Sequence, residues 1–198
     1  MKTLVALLFC VVAALSPASS VAQQLPPGAG SPSVEKKLKE LPLGSLFWRI
    51  ESFPSLDQAQ SAVGPTGLVA DFSGKIWLFT LGPKDGATPG ATKVAEVGPL
   101  PPIQASEYLL RITHAKGPPG WRSPTHTHPG SEAFYVLKGR LGHKTPHGTA
   151  YADAATAMNS HGADTPMEVF SAGATDFEIF AMFLLDATRP FSSPARLE

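Results

Sequence analysis

One cysteine stands in the 198 residues, at position 10, and none follows it. Beyond that point the chain has neither thiol nor disulfide, so its stability must come from an apolar core rather than from cross-links. Charge of one sign is also missing. Lys and Arg total 16, as do Asp and Glu, and the one dense patch, "EKKLKE", is mixed. A nucleic-acid partner or an anionic membrane surface is therefore not expected, since both call for a clustered positive field. Long apolar runs are scarce. The only one, Leu4 to Leu15, falls short of the roughly 20 residues that a spanning helix needs, and no basic stop follows it. Histidine is absent from Gln23 to Ala105, and all six copies lie after that gap.

The short apolar run has a different explanation. Lys2 precedes it and the small residues Ser20-Val21-Ala22 close it, which is the pattern of a secretory signal peptide cut after Ala22. The expected location is periplasmic or secreted, with no membrane insertion after cleavage. Losing Lys2 leaves 15 Lys and Arg against 16 Asp and Glu, a net of −1. Residues 23–32, within "QQLPPGAGSPS", hold too little apolar surface to fold and read as a flexible leader. The remainder has the size of one ordinary domain.

Two short helices are expected near the start of that domain. Ser31 can cap one with Pro32 at its first position, placing Val34, Leu38 and Leu41 on one face. Ser55 and Gln58 form a weak capping box ahead of a second, "LDQAQSAV". Almost everything else reads as strand: "SLFWRIESF", "GLVADFSGKIWLFTLG" with a turn at Ser73-Gly74, "TKVAEVG", "EYLLRITHA", "EAFYVLKGRLGH", "MEVFSAG" and "DFEIFAMFLLD". Short apolar or alternating runs punctuated by Gly and Pro are the rhythm of an all-β sandwich or barrel. The 20 prolines fit that reading and oppose a helical bundle.

Chemistry concentrates in "GWRSPTHTHPGSEAFYVLKG", Gly120 to Gly139. Residues two apart on a strand face the same way, so His126 and His128 share a side, and the Pro129-Gly130 turn can return the Glu132 carboxylate over them. Two imidazoles and a carboxylate suit a first-row divalent ion and leave open positions for water or substrate.

The spacing Gly120, five residues, His126-x-His128, three residues, Glu132, six residues, Gly139 resembles in every position the first motif of the cupin family. The resemblance implies an all-β double-stranded β-helix, the cupin jelly-roll barrel, over residues 106–198. Residues 33–105 are then an N-terminal extension of short helices and extra strands packing on it. The resemblance also implies that His126, His128 and Glu132 are metal ligands, for Fe, Mn, Ni, Cu or Zn. It makes Gly120 and Gly139 the turns framing the strands, and Phe134 and Val136 walls of the cavity. Tyr135 and Leu137 would face a second layer or a partner subunit, so a homodimer is among the expected partners. The histidine-free stretch excludes a second metal-bearing cupin domain.

The second cupin motif, which supplies a fourth ligand, is degenerate here, and two registers compete. In one His161 is the ligand, without the usual Pro and Gly before it. In the other "GADTPMEVFSAG" overlays the motif, with Pro166 and Gly173 in place and Met167 where the histidine belongs. The second is preferred because it leaves a more regular spacing and a full closing strand. His161 would then be a loop residue at the barrel mouth, available as a catalytic base. His114 reads as a polar strand-end residue, and His143 and His147 as surface residues beside turns. Arg111, Arg122 and Lys138 could reach an anionic substrate, although solvent-facing roles suit them better.

The cupin scaffold hosts many chemistries, so the resemblance leaves function open. A metal-dependent enzyme acting on a small organic molecule, oxygenase- or isomerase-like, is the first expectation. A non-catalytic periplasmic binding or sensing protein is the alternative, and a metal-free structural protein the third.

Overall fold

The computed structural model describes residues 31–159 and 161–197. The expected signal peptide and most of the leader lie outside the described residues. In chain order the elements are β1 (Ser33–Leu38), β2 (Phe47–Phe53), α1 (Leu56–Ala62), β3 (Gly67–Phe72), β4 (Lys75–Gly82), β5 (Thr92–Val97), β6 (Tyr108–Gly117), β7 (His126–Thr127), β8 (Gly130–Lys138), β9 (Arg140–Thr145), β10 (Gly148–Asp153), β11 (Ala157–Met158), β12 (Glu168–Ser171), β13 (Phe177–Asp186) and β14 (Ser193–Pro194).

Antiparallel strands make up most of the molecule, as the alternating pattern predicts. One sheet runs β1-β6-β13-β8-β11 and a second runs β10-β9-β12. Their inner faces meet in an apolar core that includes Phe134, Val136 and Phe183 from the first and Leu141 and Val169 from the second. A four-stranded sheet, β3-β4-β2-β5, covers the outer face of the first sheet. There Trp77 and Phe79 pack against Phe180, and Trp48, Ile112 and Tyr135 join them in the largest core. The first sheet is thus buried on both sides, which explains why β13 reads as an unbroken apolar run. Phe134 and Val136 face the inner core and Tyr135 and Leu137 the outer one, as the strand period requires.

One helix forms among the described residues. α1 starts where the capping box places it, with the Ser55 hydroxyl accepting from the Gln58 N–H. The helix expected after Ser31 does not form; those residues are β1, paired antiparallel to β6 with Val34 opposite Ile112 and Leu38 opposite Tyr108. Val34 and Leu38 fit a period of two as well as a helical face, and the open edge of β6 supplies backbone partners that an isolated helix of this length cannot match. The extension therefore contributes one strand to the barrel sheet and a separate sheet laid over it.

Turn chemistry follows the sequence closely. Ser73 and Gly74, both at positive φ, close the β3–β4 hairpin. Gly120 and Gly139 also adopt positive φ (79° and 75°), and at Gly139 a Cβ would stand 2.6 Å from the Asp176 carbonyl oxygen. The two glycines that frame the histidine motif are there for the backbone.

Candidate metal centre

His126 lies in β7, His128 follows it, and Glu132 points inward from β8, directly opposite Phe183 of β13. All three are buried, and one ligand atom from each falls within 4.8 Å of the others. His128 Nε2 is 3.6 Å from Glu132 Oε2, and the two imidazole rings stand 4.9 Å apart, nearly perpendicular.

Backbone carbonyls fix how the rings present themselves. His126 Nδ1 donates to the Pro124 oxygen at 2.8 Å, and His128 Nδ1 donates to the Phe191 oxygen at 2.6 Å. Because a carbonyl can only accept, each ring carries its proton on Nδ1 when neutral and turns the Nε2 lone pair inward. Such outer partners orient metal-binding histidines. Burial lowers the pKa of both, that of His128 to about 4, with His126 and the Arg111 charge adding to the effect there. Burial raises Glu132 to about 8. Glu132 Oε2 is buried with no hydrogen-bond partner. A buried carboxylate oxygen left unpaired is costly, and a divalent cation between it and two inward lone pairs would satisfy all three donors. The residues present therefore fit a first-row metal ion.

The segment carrying Phe191 acts as a strap. β14 pairs with β7, Ser193 opposite Thr127 and Pro194 opposite His126. The Phe191 ring contacts those of His128 and Phe183, with centroids 4.9 and 5.0 Å away. Arg111 lies over that ring, 4.7 Å from its centroid. The sequence holds no sign of this strap, because a backbone carbonyl acceptor leaves no side-chain signature.

Met167 is fully buried and forms a backbone bridge with His126. His161 stands elsewhere. Its ring is 5.6 Å from that of His143 and 5.4 Å from that of His147. His143 corrects an expectation: it is 1% exposed, on β9 opposite Val169, and its ring packs on Phe134. The alternation in "RLGHKT" puts it on the inner side with Leu141 and Thr145, a signal masked by the turn that follows. Its pKa is lowered to about 4, by burial first and then by His161 and His126. His147 is exposed, as expected.

The remaining candidates are accounted for away from the centre. His114 is not at a strand end; it is buried inside β6, on the outer face against Phe72 and Phe180, with Nε2 2.6 Å from Glu178 Oε1. Arg122 is exposed, pairs with Glu168 and covers Phe170. Lys138 is exposed at the end of β8.

No family model matches the chain, and comparison with curated proteins finds no match. Solved structures do resemble it. A cupin-like protein from Thermotoga maritima aligns with TM-score 0.39 and 11% identity, over 43% of this chain and 64% of that one. The polyketide cyclase RemF from Streptomyces resistomycificus aligns with TM-score 0.36 and 18% identity, over 46% and 62%. A Cupin 2 conserved barrel domain protein from Salinispora arenicola gives 0.35 and 18%, over 40% and 65%. The chain spans less than two thirds of the length of each. Two of these three neighbours are described as cupins, the family that the motif from Gly120 to Gly139 resembles.

Proposed function

We propose that this chain is an exported cupin that holds a divalent transition metal through His126, His128 and Glu132 and acts as a metal-dependent enzyme on a small organic molecule. One observation carries the reading: three buried donors converge within 4.8 Å, and the carboxylate oxygen among them has no other partner. Three protein donors leave coordination positions for water and substrate. A bound ion would supply Lewis-acid or redox chemistry at those positions. The protein's own part is to hold both imidazoles in one tautomer, through the Pro124 and Phe191 carbonyls, and to keep water scarce with Phe134, Phe183 and Phe191. Met167, in this reading, occupies the fourth position as a weak donor.

Export rests on the first 22 residues, and the small-molecule substrate on the coordination positions that three protein donors leave open. Metal analysis of protein recovered from the exported fraction tests the centre. A bound transition metal that disappears in His128→Ala supports it, and a wild-type protein without metal sinks it. Turnover of a small-molecule panel that is lost on chelation and restored by one metal separates the enzyme from a binding protein.

A further inference from the structure

Four of the six histidines lie outside the candidate centre, and three of these gather in a row. Exposed His147, in the turn between β9 and β10, is followed by half-buried His161 and then by buried His143 on β9. The successive ring centroids are 5.4 and 5.6 Å apart, with planes tilted by 37° and 45°. Those spacings approach the 4.9 Å between His126 and His128. At the inner end, His143 Nε2 is buried and has no hydrogen-bond partner. An unpaired buried nitrogen of this kind costs free energy, and coordination would remove that cost.

We propose that His143, His161 and His147 form a second cation site, separate from the His126–His128–Glu132 set, that takes a nitrogen-preferring divalent ion such as Zn²⁺, Cu²⁺ or Ni²⁺. Each residue has a distinct part in it. His143 is the fixed ligand, held by the strand and by the Phe134 ring. His161 comes from the segment between β11 and β12. His147 completes the set from an exposed turn, its backbone anchored by its own N–H to the Thr145 hydroxyl at 3.2 Å. Among the described residues only the first set already converges within 4.8 Å, so the second closes when the ion binds. Imidazole donors choose the ion, because Mg²⁺ and Ca²⁺ require oxygen ligands. Burial lowers the pKa of both His143 and His161 and so favours the neutral imidazole, the form that binds a cation.

Zn²⁺ titrations of the full chain, with metal content measured after gel filtration, test the proposal. Wild type should take up two equivalents, the second more weakly. His161→Ala should lose the second equivalent, and His147→Ala should weaken it by tenfold or more. Both residues are at least partly exposed, so both variants should keep the wild-type circular dichroism. Glu132→Ala should lose the first equivalent and retain the second, which makes the two sites fail independently. A second equivalent that persists in His161→Ala, or zinc uptake that vanishes altogether in Glu132→Ala, overturns the second site. An unchanged affinity in His147→Ala overturns the three-imidazole set.

Discussion

His126 and Met167 exchange both backbone hydrogen bonds, His126 N–H to the Met167 oxygen at 3.0 Å and Met167 N–H to the His126 oxygen at 2.8 Å. Residues paired in this way across antiparallel strands place their side chains on the same face, about 5.5 Å apart at Cα. Met167 is thus a direct cross-strand neighbour of a proposed ligand. Met167→His should build a four-ligand site and tighten metal binding by at least about tenfold, or 1.4 kcal/mol. His161→Ala should leave the tight site unchanged. Competitive titration against a chromophoric chelator checks both; equal losses in His161→Ala and His126→Ala would reverse the assignment.

Removal of any one of His126, His128 or Glu132 should abolish the tight metal equivalent without unfolding the protein. The apolar cores of the sheets include none of those side chains, so the fold should not need the ion. Metal content measured beside thermal melts of the metal-free variants tests the point. Retained tight binding in Glu132→Ala would remove the carboxylate from the centre.

The strap should matter through a residue that is not a ligand. Phe191→Ala deletes the ring that contacts both His128 and Arg111 and should loosen the carbonyl that holds His128 Nδ1. Outer-partner losses of this kind weaken metal binding by about 10–100-fold, and the same is expected here, seen mainly as faster dissociation. Stopped-flow chelator exchange reads that rate, and a wild-type rate would show the strap to be dispensable.

Glu132 gives the metal-free protein a pH dependence of definite sign. Its folded pKa, raised by burial to about 8, exceeds its ordinary value of 4.5. Its contribution to stability is therefore fully present below pH 4.5 and is lost as pH rises towards 8, at about 1.4 kcal/mol per pH unit. In the presence of EDTA, Glu132→Gln should match wild type near pH 4.5 and exceed it by a few kcal/mol at pH 8.5. Added metal should reverse that order. Urea unfolding at the two pH values is the measurement, and parallel pH profiles for the two proteins would contradict it.

The strands were legible because their cause is local. In "DFEIFAMFLLD" and "EAFYVLKG" the side chains themselves report burial on both faces. β10 leaves no apolar signal in the sequence because "GTAYAD" is mostly exposed, and its pairing with β9 comes from hairpin geometry. β1 reads as helix in the sequence because a spacing of four residues satisfies both periods, and only the neighbouring strand decides between them. The motif names His126, His128 and Glu132, and their ligand atoms lie within 4.8 Å of one another. It could not show the row from His143 to His147, since that depends on how the β11–β12 segment folds back on β9.

The strap sets the order in which the site can be assembled. His126, His128 and Glu132 lie within seven consecutive residues, yet the carbonyl that fixes the His128 tautomer is 63 positions further along the chain. A folding intermediate holding only β7 and β8 would bring the ligands near one another with His128 still free to choose its proton. Full affinity for an ion would therefore arrive after the long-range contacts, which are the slow ones to form. Metal uptake during refolding would act as a clock for the last step of folding, lagging behind the appearance of strand signal.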